Sequence, residues 1–188
     1  MRSSHTKQML ADTLKNLLST KTLDKISIRE LTAEANVNRQ TFYYHFEDIY
    51  DLLRWTIQNE ALIHLQDKPS EQLWQEGVLQ LFRYVEQNKA FAVNAFQSLG
   101  LEFLRRFFYT EVYEIIEKVT LQMSEGYSID AQYIQFLAHH YTLSLSSLII
   151  SWMQDDIDAT PEQIIEMINI TIEDQKNGAQ LRCQNMNT

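Results

Sequence analysis

Glycine occurs only four times and proline only twice in the 188 residues. Strands joined by hairpins consume such residues, so their scarcity points to an all-α protein. The single cysteine, Cys183, excludes a disulfide framework and a thiolate metal cluster, and suits a reducing cytoplasm. Long apolar runs are missing too. The longest candidate, LSLSSLIISWM, is broken by serines and falls short of the roughly 18 residues that a membrane span needs. The opening MRSSHTKQML has no apolar stretch of the kind a secretory leader carries. A soluble cytoplasmic protein without a membrane partner is expected.

Catalytic signatures are equally scarce. There is no G-x-S-x-G, no glycine-rich phosphate loop and no H-E-x-x-H. His139 and His140 are adjacent, hence about 100° apart on a helix, and cannot ligate one metal together. Asp155 and Asp156 read as a solvated helix end. No enzyme activity, catalytic residue, metal or cofactor is expected.

What is present is uneven. Residues 1–46 carry seven Lys or Arg against four Asp or Glu, while the remainder carries nine against twenty-one. A slightly basic end on an acidic body is the charge pattern of a nucleic-acid-binding head attached to a different module.

The first 46 residues are also rich in helix punctuation. Leu10, Leu14, Leu17 and Leu18 form an amphipathic stripe, with Ser3 or Ser4 available as a cap. In ISIRELTAEA, Ser27 and Glu30 have the spacing of a capping box, and Ile26 and Leu31 that of a hydrophobic staple. Asn36 can adopt the left-handed conformation of a tight turn. Asn38 then caps a helix over residues 39–45, with Val37 and Phe42 as a second staple. Two short helices joined by so tight a turn, after a longer one, predict a three-helix unit of helix-turn-helix type.

On the last of these helices, Phe42 and Phe46 share a buried face. Arg39, Gln40, Thr41 and Tyr43 then project from its first turns. Arg can fork to guanine, Gln can pair with adenine and the Thr methyl can pack on thymine. The bland alternative is an ordinary solvated helix face.

Six further helices are expected. Asp48 caps one that carries Leu52, Leu53, Ile57 and Leu65 and ends by Pro69, and Ser70 opens the next. A shorter helix ends at Gly100, a long one stops at Gly126, and another runs from Ser128 to about Gln154. Thr160, Pro161 and Gln163 start the last one, and residues beyond about 176 are expected to fray. The small residues of TLSLSSLIISW, together with the last helix, are candidates for a two-fold four-helix interface.

The stretch ISIRELTAEANVNRQTFYYHFEDIYDLL, with its T-F-Y-Y-H-F run, resembles the TetR-type bacterial transcriptional regulators. The resemblance is strong over residues 5–55. TFYYHFEDIYDLLRW and the short acidic body look most like the DhaS-type subgroup, which controls dihydroxyacetone kinase operons.

The resemblance implies an all-α fold, with a helix-turn-helix DNA-binding head over 1–50 and a helical regulatory and dimerisation body over 51–188. It implies a homodimer on a roughly palindromic double-stranded operator. Arg29, Arg39, Gln40, Thr41 and Tyr43 match positions at or near the bases, Ser27, Tyr44 and His45 match phosphate contacts, and the cap Asn38 joins this set. Asn36 stands where the family usually has glycine. FEDIYDLL lacks the Lys that many members place at the start of the fourth helix, so one phosphate contact is in doubt.

The body invites two readings. Phe103, Phe107, Tyr113, His139 and Trp152 lie on its two longest helices, where family members hold an inducer. The same aromatics suit a filled core, with the signal arriving through a dihydroxyacetone-kinase-like co-regulator protein. Activation and repression both remain open, and the rival from another class is a helical protein-interaction adaptor.

Overall fold

The computed structural model of the protein describes residues 2–65, 71–125 and 129–186, and all regular structure among them is helical. The elements are α1 (Arg2–Leu18), α2 (Ile28–Glu34), α3 (Arg39–His45), α4 (Ile49–Thr56), α5 (Glu71–Gln87), α6 (Lys89–Leu99), α7 (Leu101–Met123), α8 (Ala131–Met153) and α9 (Pro161–Met186). Contacts divide the chain into two units, 1–63 with 84–104 and 64–83 with 105–188. No helix among the described residues is long and apolar enough to cross a membrane.

The first unit is built on the leucine stripe of α1. Leu10, Leu14 and Leu18 are fully buried with Leu31, Phe42, Leu52 and Leu53. Helices of seven residues do not persist alone in water, so α2 and α3 depend on caps and on this core. The Ser27 hydroxyl accepts from the Glu30 N–H at 3.1 Å, and the Asn38 side chain from the Gln40 N–H at 2.9 Å. Asn36 turns the chain between them at φ 52°, a conformation its short polar side chain tolerates. Asp48 caps α4 by accepting from the Asp51 N–H at 2.8 Å.

Two details of this unit differ from expectation. α1 already begins at Arg2, so neither Ser3 nor Ser4 caps it. The helix after Asp48 is not uniform either. It widens into a π turn over Ile57–Ala61 and tightens into a 3-10 turn over Leu62–His64. The wide turn lets Glu60 reach polar partners while Ala61 and Leu62 stay buried. Glu60 accepts from Lys15 Nζ at 2.6 Å, the Tyr84 hydroxyl at 2.9 Å and Gln8 Nε2 at 2.9 Å. Burial, reinforced by the Glu60 charge, pushes the Tyr84 phenol far above its ordinary pKa, which keeps it a donor.

α6 belongs to this unit by packing. Phe91 and Ala95 enter its core, Asn94 donates to the Leu18 carbonyl at 2.7 Å, and the Ser98 hydroxyl accepts from the Leu23 N–H at 2.8 Å. Gly100 ends α6 at φ 76°, in the left-handed region where a Cβ is disfavoured.

The second unit buries Val78, Leu81, Phe82, Val112, Ile116, Ile149 and Ile164. Its α9 starts on a complete capping box. The Thr160 N–H donates to Gln163 Oε1 at 2.9 Å and the Gln163 N–H returns to the Thr160 hydroxyl at 3.3 Å. Asp130 caps α8 by accepting from the Gln132 N–H at 2.9 Å. The expected signals at Ser70, Gly126 and Ser128 lie outside the described residues.

α9 does not fray near residue 176 but continues to Met186. Ala179 is buried and Lys176 pairs with Glu173 at 2.8 Å, so the polar composition there marks an exposed helix face instead of an end. The small residues Thr142 and Ser146 face inward. Their hydroxyls donate to the carbonyls of Ala138 and Thr142, each at 2.7 Å. α8 instead exposes the large residues Phe136 and Leu143, and α9 exposes Met167 and Ile170.

Candidate nucleic-acid interface

α3 has a sharply divided surface. Phe42 and Phe46 are buried, with ring centroids 5.9 Å apart, and Phe46 meets Trp55 edge-on at 6.0 Å. Lys7 closes the back of this cluster, its ammonium 5.5 Å from the Phe46 ring and 5.8 Å from Trp55. The other side of the helix is free. Asn38, Arg39 and Gln40 are exposed, Thr41 and His45 half-buried, and Tyr43 and Tyr44 expose 52% and 81% of their surface.

An 81%-exposed tyrosine gains little from folding. Leaving its large apolar ring in water makes sense where another surface will cover it. Tyr43 packs edge-on against Phe42 at 5.4 Å, and the Tyr44 ring lies 5.0 Å from His45. These contacts limit where the rings can swing. Ser27 and Arg29 are exposed on α2. Ser27 Oγ spends an acceptor site on the cap, which leaves its proton available to an outside oxygen.

Charge around the row is mixed. Lys21 pairs with the carboxylate of Glu30, and this hydrogen bond, helped by the Ser27 N–H, holds the Glu30 carboxyl below its ordinary range. At the end of α3 the Glu47 N–H donates to Asp51 Oδ2 at 3.1 Å, and Glu47 and Asp48 are exposed. Three acids thus gather where a cation would serve a polyanion better. Sequence reasoning missed the Lys7 clamp and the Glu60 node, because both join side chains distant in sequence.

Among the described residues, the aromatics proposed for an inducer pocket make several separate sets of contacts. Tyr109, Tyr113 and His139 form a stack on α7 and α8, with Tyr113 and His139 centroids 4.7 Å apart and a Tyr109 hydroxyl contact to His139 Nδ1. His139 is exposed, and Phe107 is buried beside Phe108. Phe103 lies in the first unit, 36% exposed. Trp152 meets Phe82 edge-on at 5.2 Å and donates its indole N–H to the Ala159 carbonyl at 2.8 Å. The two apolar cavities of the second unit are lined by other residues.

A three-helix unit with a tight turn between α2 and α3, and a polar, aromatic-rich outer face on α3, defines a helix-turn-helix DNA-binding protein. Residues 10–54 match the profile described as "Bacterial regulatory proteins, tetR family", and residues 72–174, over half the chain, match "Transcriptional regulator C-terminal region". The chain belongs to the TetR family and is a transcription regulator of that type. Regulators of this family bind DNA and typically dimerise.

Among curated proteins it is similar to the "HTH-type dhaKLM operon transcriptional activator DhaS" of Lactococcus lactis subsp. lactis (strain IL1403), with 30% identity over 90 residues, 48% of each chain. The match thus spans about half the length of that relative. Among solved structures it resembles a "Dihydroxyacetone kinase operon activator DhaS" with a TM-score of 0.73 and 20% identity, covering 92% of this chain and 96% of the other. That likeness establishes the fold.

Proposed function

We propose that the protein binds a roughly palindromic operator as a homodimer and activates a dihydroxyacetone kinase operon in response to a kinase-like partner protein. The head, residues 1–50, delivers α3 to a major groove, and residues 51–188 form the dimerisation and signal-receiving body. The observation that carries this reading is the outward row of α3, solvated polar and aromatic side chains on a helix whose opposite face is locked into a core.

In that role Arg29, Arg39, Gln40, Thr41 and Tyr43 face base edges, and Ser27, Tyr44 and His45 hold phosphates. Asn38 sets the entry of α3. The exposed Phe136, Leu143, Met167 and Ile170 supply apolar surface for a second copy. Activation of this kind of operon is supported by the name of the relative matched over about half its length. Input through a protein is supported by the body's cavities, whose apolar linings offer poor company to the two hydroxyls of free dihydroxyacetone. The second reading, a repressor released by a small molecule, is favoured by the presence of a cavity at all.

Sequencing of fragments that the purified protein selects from its own genome tests the proposal. A symmetric site upstream of a dihydroxyacetone kinase operon is the expected result. Recovery of fragments with no common two-fold motif overturns the operator reading. Calorimetry with dihydroxyacetone should show no heat of binding, and micromolar binding removes the need for a protein partner.

A further inference from the structure

The helix that begins at Ile49 loses its regular winding where a charge would otherwise enter the core. Ile49, Leu52, Leu53 and Thr56 are the buried residues of α4. In an uninterrupted α-helix the next position on that face is 60, four residues beyond Thr56 and seven beyond Leu53, and it holds a glutamate. The π turn over Ile57–Ala61 inserts one extra position, about 100° of rotation. Ala61 then takes the buried place, and Glu60 moves to the edge of the face with 14% of its side chain exposed. The Leu62 N–H closes the wide turn on the Ile57 carbonyl, and the Asn59 side-chain amide donates to the Trp55 carbonyl at 2.8 Å.

At that edge the carboxylate is held from two other helices of the first unit. Gln8 and Lys15 reach it from α1, and the Tyr84 hydroxyl from the last turn of α5. The Lys15 ammonium also lies 5.2 Å from the Tyr84 ring centroid, so the two arms brace one another. A largely buried ion pair adds little net stability, because desolvation offsets the attraction, but it disfavours arrangements that leave either charge unpaired. The reading helix depends on the arrangement chosen. α3 joins α4 through residues 46–48, and its Phe42 and Phe46 share one core with Leu10 and Leu14 of α1 and Leu52 and Leu53 of α4.

We propose that Glu60 is a positioning residue for operator recognition: tied to Gln8, Lys15 and Tyr84, its carboxylate selects the wide turn and so fixes α4, with α3 before it, against α1 and the end of α5. Glu60 touches no DNA in this role. It acts on the geometry of the core that carries Arg39 to Tyr44, and it rests on the DNA-binding reading of α3.

The test compares three variants of the full chain. Glu60→Gln keeps a polar acceptor at the position. Tyr84→Phe deletes one donor oxygen. Glu60→Leu combined with Tyr84→Phe removes the acceptor and its α5 donor together, and leaves Lys15, 21% exposed, free to turn to water. The probes are the duplex that the wild type selects from its genome and a shuffled duplex of equal length, followed by fluorescence anisotropy. Glu60→Gln should bind the selected duplex within about twofold of wild type, and the double variant about tenfold more weakly, with Tyr84→Phe between them. Affinity for the shuffled duplex should not change. Melting temperatures should stay close to that of the wild type, since apolar groups of similar size replace the ion pair. A role confined to stability would instead lower both affinities together with the melting temperature. In a crystal structure of the double variant without DNA, α4 should continue as a regular α-helix through residue 61, with residue 60 in the core. Persistence of the wide turn there, or an undiminished preference for the selected duplex in both Tyr84 variants, overturns the proposal. A wild-type chain that prefers no duplex overturns the DNA-binding reading, an outcome kept separate because the variant's crystal structure needs no DNA.

Discussion

The two units hold their helices in different ways. In the first, three consecutive helices of seven or eight residues each begin on a side-chain cap, at Ser27, Asn38 and Asp48, and their buried faces meet in one continuous core. In the second, α8 and α9 run to 23 and 26 residues, and the interior keeps open cavities and an unpartnered tryptophan N–H. Short helices cannot stabilise themselves, so each terminus and staple must be specified locally. Long helices tolerate imperfect packing between them. Local caps and one shared core thus hold the short helices of the first unit, whereas the long helices of the second leave apolar cavities beside them.

Substitutions can break this contrast. The largest expected effect is that of Phe42→Ala, which removes a fully buried ring and should cost about 3–5 kcal/mol. Hydrogen exchange should show lost protection in α1 to α4 with α8 and α9 little changed. Equal loss in both units means that they do not unfold separately.

Arg39→Ala tests the other face of the same helix. Stability should change by less than about 0.5 kcal/mol, whereas specific operator affinity falls by about 1–3 kcal/mol with relaxed preference at one base position. Fluorescence anisotropy against cognate and shuffled duplexes measures both quantities, and an unchanged preference removes Arg39 from the reading set. The salt slope of the wild type should be shallow, roughly three to four phosphates per head at about 0.9 each, because Glu47, Asp48 and Asp51 occupy the end of α3.

Asn38→Ala removes a cap and nothing from the core. A loss of about 1 kcal/mol is expected in denaturant titration, together with weaker operator binding from a frayed α3. A comparable loss from Asp130→Ala in α8 means that caps matter as much in long helices as in short ones.

The smallest effect is a pH dependence present once in each unit. Hydrogen bonds from Lys21 and from Arg83 hold the carboxyls of Glu30 and Glu162 below their ordinary range. Carboxyls with lowered folded pKa values contribute stability that is complete above the unfolded carboxylate pKa near 4.5 and is lost as pH falls through the folded values. Lys21→Met and Arg83→Met should each flatten the stability profile between about pH 5 and 3. Both pairs lie at the surface, so a change as large as that of the cap variant runs against the assignment.

The sequence by itself determined the all-helical class and the start of α2, α3, α4 and α9, because caps and staples act within five residues of one another. It likewise determined that α3 turns Phe42 and Phe46 inward, so the candidate reading row from Arg39 to Tyr44 was legible in the local pattern of residues alone. Tertiary structure alone decided the π turn that brings Glu60 to Lys15 and Tyr84, the packing of α6 onto α1, and the length of α9. It also decided that Thr142 and Ser146 face inward, and that Trp152 spends its N–H on Ala159 while Trp74 has no acceptor. The reason is geometric. The face a long helix turns to its neighbours depends on residues far away in the chain, and a rotation of one residue position, about 100°, exchanges a cavity wall for an exposed surface.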